Sequence, residues 1–223
     1  MIKKHIPNAL TCANLLSGCV GSIYAFNGDL KTVAFFVLIS GVFDFFDGFA
    51  ARLLNVKSNI GKELDSLADV VSFGFLPGII IYKLLLFSGL GWISYAGFLV
   101  TVFSALRLAK FNIDTRQTED FIGLNTPMNT FLIISLPYLA DDFLFITNPY
   151  FLVALIAVVC YLLVSELRLF SMKLNSLKWQ PNQYKFIFLI VSVLLIPFLK
   201  FAAIPLILIL YIILSQLHFK YKT

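Results

Sequence analysis

Long apolar stretches alternate with short polar clusters along this chain. A helix that crosses a bilayer needs about 20 mostly apolar residues. Eight stretches approach or meet that length: residues 7–27, 32–53, 65–88, 91–110, 126–145, 149–168, 184–199 and 201–218. The last two meet at Lys200, between Pro197 and Pro205. A short outer turn there gives two helices, whereas one broken segment would leave seven spans. The pattern favours the turn, and so an all-α, polytopic transmembrane bundle of about eight spans, built as a single domain over residues 1–223. Residues 1–27 have the basic start and apolar run of a signal peptide. The run is long for one, however, and Pro7, Asn8, Thr11 and Asn14 interrupt it, so it is expected to stay as a span.

Composition sharpens this reading. Hydrophobic residues make up 60% of the 223 and charged residues only 13%, about half the charge of a soluble domain. That apolar surplus cannot be hidden in a soluble core, which excludes a soluble enzyme, a disordered segment and a secreted disulfide scaffold. The three cysteines, Cys12, Cys19 and Cys160, lie in apolar runs without a CxxC and read as packing residues. The net charge of +5 reads as topology rather than nucleic-acid affinity. Lys3, Lys4, Arg52, Lys57, Lys62, Arg107, Lys110, Arg116, Arg168, Lys173, Lys178, Lys185, Lys220 and Lys222 fall on one side of the eight-span layout. Only Lys31, Lys83 and Lys200 fall on the other. Both termini are therefore expected in the cytoplasm. The basic segment 170–185 reads as a cytoplasmic loop or interfacial helix anchored by Trp179.

The candidate chemistry lies in DFFDGFAARLLNVKSNIGKELDSLAD, residues 44–69. On a helix, Asp44, Asp47, Gly48, Ala51 and Arg52 share one face, and so do Gly61, Asp65 and Asp69 on the next. A loop of about eight residues makes the two helices antiparallel neighbours, so four carboxylates converge near their cytoplasmic ends. Charged side chains in a span are costly and functional, and four like charges require protons or cations. Hard oxygen donors suit Mg²⁺ or Mn²⁺, and a pair of such ions about 3.5–4 Å apart is a known phosphoryl-transfer clamp. Gly48 and Ala51 leave room at the backbone, and Arg52 offers a charge to phosphate oxygens.

Asp44-x₂-Asp47-Gly48-x₂-Ala51-Arg52-x₈-Gly61-x₃-Asp65-x₃-Asp69 resembles the signature of the CDP-alcohol phosphatidyltransferases at all eight fixed positions. The resemblance implies a membrane enzyme, with lipid bilayer around it and no nucleic-acid partner, that carries two Mg²⁺ or Mn²⁺ ions. Asp44, Asp47, Asp65 and Asp69 would be the metal ligands, with Asp69 also the general base. It further implies a CDP-diacylglycerol site at Pro7, Asn8, Thr11, Gly48, Ala51, Arg52, Ser58 and Gly61. The active site would stand at the cytoplasmic face of the inner membrane, in a homodimer.

ALRLAKFN (105–112) and FIGLNTPMN (121–129) are similar to segments of the phosphatidylserine synthase branch, with departures at Lys110 and Asn125. This implies L-serine as acceptor, held by Arg107, Lys110 and Asn112. Glycerol 3-phosphate or inositol phosphate, drawing on Arg116 and Lys57, is the alternative acceptor. A cation or proton-coupled transporter is the alternative of another class, but the acids crowd at one edge and no inverted repeat accompanies them. His5 and His218 are expected at the interface, Asp141 and Asp142 in an outer turn, and Glu166 in a local pair with Arg168. The GxxxG of Gly74 and Gly78 suits helix packing or dimerisation.

Overall fold

The computed structural model describes residues 5–56, 58–89, 91–117, 120–173 and 178–221. Lys3, Lys4, Lys57, Lys222 and the middle of the basic segment 170–185 lie outside the described residues. Nine α-helices occupy most of what is described. They are α1 His5–Phe26, α2 Leu30–Leu53, α3 Asn59–Val70, α4 Leu76–Phe87, α5 Leu99–Ile113, α6 Thr126–Asp142, α7 Pro149–Val164, α8 Trp179–Leu199 and α9 Ala203–Tyr221. A π-helical turn, Val71–Phe75, joins α3 to α4 into one continuous rod, and a 3₁₀ stretch, Gly91–Phe98, leads into α5.

Local chemistry sets the boundaries. Asp29 caps α2 by accepting from the Thr32 amide at 3.2 Å, after Gly28 turns the chain at φ +88°. Ser58 caps α3 by accepting from the Gly61 amide at 3.2 Å. Asn125 caps α6 and Asn148 caps α7, each followed within two residues by proline. The loop between α2 and α3 is five residues rather than about eight, and Asn55 makes its left-handed turn at φ +52°.

The α3–α4 rod is the axis of the core. Phe73, Leu76, Ile79, Ile80, Ile81 and Leu85 are almost wholly buried, in one apolar cluster with Val33 and Val37 of α2 and Ile133 and Leu136 of α6. The missing side chains of Gly74 and Gly78 admit α5. A Cβ on Gly74 would stand 3.0 Å from the Ser104 Cβ, and Thr101 Oγ1 donates to the Gly74 carbonyl at 3.1 Å. The GxxxG thus packs helices within the chain. Outward faces are apolar and exposed, with Phe35, Leu38, Val42, Phe45, Phe46 and Phe49 along α2, which suits a lipid surround rather than water. Among the described residues, five helical stretches are long and apolar enough to cross a membrane. One of them, Trp179–Lys220, reverses at Lys200 (φ +49°), where three residues of 3₁₀ helix separate α8 from α9. The ring contacts Tyr184–His218 and Phe188–Tyr211 show α9 running back along α8.

Several expectations are corrected. Residues 165–168 do not continue α7. They turn into an extended segment, Arg168–Leu169 (β2), antiparallel to Phe121–Ile122 (β1), with Phe121 opposite Leu169. This small ribbon holds the loop ahead of α6. Gly123, at φ +77°, donates its amide to the Leu167 carbonyl at 2.8 Å, and a Cβ there would meet the Leu163 carbonyl at 2.8 Å. Glu166 pairs with Lys110 and Arg116 rather than with Arg168, because the ribbon turns Glu166 toward the end of α5. His218 is buried among Phe170, Tyr184 and Phe219, not at an interface. Asp141 and Asp142 are the last two residues of α6 rather than part of a turn after it, and Asp141 pairs there with Lys31.

Candidate active site

Three helices build the site. Along α2 the spacing of Asp44, Asp47, Gly48 and Ala51 turns them to one face, and along α3 the spacing of Gly61, Asp65 and Asp69 does the same. Helix α1 fills the space between them with a polar face in an otherwise apolar helix. Asn14 is the hub of that face. Its main-chain carbonyl accepts from Ser40 Oγ of α2 at 3.2 Å and from Ser72 Oγ of the π turn at 3.1 Å. A Cβ on Gly18 would collide with the Ser72 side chain, so the small residue sets the approach of α1 to the rod.

One oxygen from each of Asp44, Asp47 and Asp65 lies within 4.8 Å of the others. Asp47 is buried, and Thr11 Oγ1 donates to its Oδ2 at 2.6 Å. Asp65 Oδ1 is buried with no hydrogen-bond partner, and among the described residues no lysine or arginine forms an ion pair with any of the three. Three converging hard oxygens with uncompensated charge, one of them unsatisfied, fit a divalent cation of the Mg²⁺ or Mn²⁺ kind. Asp69 stands one helical turn deeper than Asp65. Asn14 Nδ2 donates to its Oδ1 at 3.4 Å.

Beside the carboxylates lies a cavity of about 370 Å³, within the usual size of a small-molecule site. Pro7, Asn8, Thr11, Gly48, Ala51, Ser58 and Gly61 line it together with Asp47 and Asp65. Seven of the eight residues expected around a nucleotide lipid are thus in one wall, and the eighth, Arg52, is exposed next to Gly48. Gly61 is where α3 meets α1, since a Cβ there would stand 2.9 Å from Asn8 Oδ1. Val56, Asn59 and Lys62 also line the cavity. They escaped the reading of the sequence because none is a signature position, Val56 lying in the loop and Lys62 counting only toward topology.

The three residues expected around an acceptor separate. Arg107 is buried and lies over the Phe111 ring at 4.9 Å, with its Nε unpartnered. Lys110 turns toward the end of α7, to Glu166 and the Val164 carbonyl. Asn112 donates to Ser66 Oγ at 2.7 Å, and its carbonyl accepts from Lys62 Nζ at 2.9 Å. Arg116 is held by Asp114 and Glu166, and Lys57 lies outside the described residues.

The family model of the CDP-alcohol phosphatidyltransferases matches residues 4–216. The chain belongs to this family. Among curated proteins it is similar to the CDP-diacylglycerol–serine O-phosphatidyltransferase of Bacillus subtilis, at 31% identity over 169 residues, covering 74% of this chain and 89% of that one. The enzyme of the same name from Helicobacter pylori strain 26695 is 32% identical over 196 residues, covering 85% and 81%. The archaetidylserine synthase of Methanothermobacter thermautotrophicus is 32% identical over 133 residues, covering 58% and 56%. As a member of the CDP-alcohol phosphatidyltransferase family the chain is a transferase, and its apolar helices make it a multi-pass membrane protein.

Proposed function

We propose that this chain transfers the phosphatidyl group of CDP-diacylglycerol to the hydroxyl of L-serine and releases CMP. The observation that carries the reading is the convergence of Asp44, Asp47 and Asp65, of which Asp47 and Asp65 line a cavity shared with the signature glycines and the polar start of α1. The names of the similar curated enzymes support serine as the acceptor.

Asp44, Asp47 and Asp65 would hold one or two Mg²⁺ or Mn²⁺ ions, with Asp69 at the edge of the set. The bound cations would supply charge neutralisation to the diphosphate and to the departing CMP. Thr11 fixes the rotamer of Asp47, so the donor set is preorganised rather than assembled on binding. Gly48 and Ala51 let the diphosphate approach the backbone of α2, and Arg52 offers a guanidinium to its oxygens. The serine oxygen bonds to the phosphorus next to diacylglycerol as its proton passes to Asp69. The bond from that phosphorus to the bridging oxygen breaks, and CMP leaves with the electron pair. Asn14 aims Asp69 for this step.

The same reading places the chain as one domain, residues 1–223, in the inner membrane. It has eight passes, both termini and the active site on the cytoplasmic side, and a homodimeric state. Contacts of Lys62, Lys110 and Arg116 tie the loops at the carboxylate end together, whereas Lys31 and Asp141 pair at the opposite end. That asymmetry supports the cytoplasmic assignment of the basic end.

The test is CMP release by the purified full chain in lipid nanodiscs, given CDP-diacylglycerol and an acceptor. Release that needs both L-serine and Mg²⁺ or Mn²⁺ is expected. Faster release with glycerol 3-phosphate or an inositol phosphate would overturn the acceptor, and release indifferent to a chelator would overturn the metal site.

A further inference from the structure

Buried polar atoms without partners lie on α5 and α6, the two helices that bond to the rod through Thr101 and Thr130. Asn129 of α6 is fully buried, and neither its Nδ2 nor its Oδ1 has a hydrogen-bond partner. Thr126 Oγ1, one turn earlier on α6, is also fully buried and unpartnered, as is Ser104 Oγ of α5. Arg107, one turn beyond Ser104, is 6% exposed with its Nε free. Buried polar atoms are almost always satisfied, and each orphan costs free energy.

The packing brings these groups to one place. Thr130, on the same face of α6 as Thr126, donates to the Phe73 carbonyl at 2.8 Å. Phe73 lies one turn beyond Asp69 on the rod. Gly74, the next residue, meets Ser104 on α5. Going one turn back along α6 from Thr130, and one turn forward along α5 from Ser104, leads in both cases toward the level of Asp69. Arg107 lies on α5 between Ser104, which meets Gly74, and Asn112, which donates to Ser66 Oγ at 2.7 Å, and so stands at the level of Asp69 on the rod. The orphans of α5 and α6 therefore flank the stretch of rod that begins at Asp69.

We infer that Asn129 and Arg107 form the seat of the acceptor's amino-acid head, with Asn129 a specificity-determining residue beside Asp69. The chemistry is complementary. A zwitterionic amino acid carries an ammonium, which the Asn129 Oδ1 can accept from. It also carries a carboxylate, to which Asn129 Nδ2 and the Arg107 guanidinium can donate. Held so, its hydroxyl is free to face Asp69. A phosphate dianion as acceptor would find one cation here, since Lys110 is committed to Glu166. The inference rests on serine being the acceptor, and it moves the recognition of the amino-acid head from Lys110 and Asn112 to α6.

The experiment uses the full chain in nanodiscs with Mn²⁺, and compares wild type with Asn129→Leu, which is close in volume, and Asn129→Gln. Kinetics are taken with L-serine varied at saturating CDP-diacylglycerol, and the reverse. Thermal stabilisation by L-serine alone and by CDP-diacylglycerol alone is read in parallel. For Asn129→Leu the KM for L-serine should rise about tenfold or more, with the KM for CDP-diacylglycerol within about twofold. L-serine should stabilise wild type but not Asn129→Leu, while CDP-diacylglycerol stabilises both. Asn129→Gln should recover part of the serine affinity. Equal rises in both KM values, or a fall in kcat at unchanged serine KM, make Asn129 a packing residue and overturn the seat. Should Asn129→Leu fail to fold, serine stabilisation and serine KM unchanged in Asn129→Gln overturn it equally. A wild type that turns over another acceptor but not serine overturns the serine reading first, and the seat with it.

Discussion

Asn14 of α1 donates its Nδ2 to Asp69 Oδ1 at 3.4 Å, joining residues 55 positions apart in the sequence. The same residue's carbonyl receives Ser40 and Ser72, so its backbone is fixed by α2 and the π turn independently of its side chain. Replacing the side chain should then leave the clamp in place. We expect Asn14→Ala to lower kcat by about ten- to a hundredfold, the usual effect of losing an orienting partner, with little change in melting temperature. Circular-dichroism melts and CMP release measured on one preparation decide it. A normal kcat would show that Asp69 needs no aim from α1.

Two glycines of the signature should fail differently. A Cβ on Gly61 would press on Asn8 Oδ1 at 2.9 Å, where α3 enters against α1, whereas a Cβ on Gly48 meets only Arg52 Nη1 at 3.9 Å and points into the cavity. Gly61→Ala should cost about 1–3 kcal/mol of stability by overpacking and weaken donor binding as well. Gly48→Ala should keep its melting temperature, or gain slightly from helix propensity, yet raise the KM for CDP-diacylglycerol. Melting curves and donor titrations of both variants separate the cases, and a stable Gly61→Ala with normal donor KM would contradict the packing.

The carboxylate set should respond as a unit. EDTA should abolish CMP release, and Mg²⁺ or Mn²⁺ should restore it. Asp44→Asn, Asp47→Asn and Asp65→Asn should each cost on the order of a hundredfold or more in kcat. Thr11→Val removes the 2.6 Å hydrogen bond to Asp47 without removing a ligand, and should cost nearer tenfold. A Thr11→Val loss as large as that of Asp47→Asn would make the hydroxyl a ligand rather than a support.

The acidic site was legible because its spacing is local. Asp44, Asp47 and Asp65 fall on helix faces by period alone, and the short loop at Ser58 leaves the two faces no choice but to meet. The cavity wall followed for the same reason, through Gly48, Ala51 and Gly61. Asn14 and Asn129 were not legible as site residues, because each is one of several polar residues in its segment and only helices packed from far along the chain single it out. The early end of α7 was hidden as well. Nothing in the apolar run through Val164 signals that β2 will pair with β1, a contact between residues about 47 positions apart. The same non-local pairing turns Glu166 to Lys110 and Arg116.

That turn makes a small electrostatic latch at the carboxylate end. Arg116 donates to both oxygens of Asp114, at 3.0 and 2.8 Å, and to Glu166 Oε2 at 3.3 Å, while Lys110 meets Glu166 from α5. The Arg116 guanidinium beside Asp114 holds its carboxyl well below its ordinary value of 3.8, and Lys110 chiefly holds Glu166 below 4.5. Carboxyls depressed in the folded state add stability above their unfolded pKa values and lose it as pH falls through the folded ones. Lys110, Arg116 and Glu166 are exposed and only the Asp114 side chain is covered, so the whole effect is small. Arg116→Ala should lower the melting temperature by at most about 3 °C at pH 7. That gap should stay level down to about pH 5, close progressively below about pH 4, and shrink in 1 M salt at any pH. Melts of both proteins across pH 3–7 at two salt concentrations give the answer. A gap that widens in acid, or that salt leaves untouched, would mean that Arg116 holds the loop by packing and not by charge.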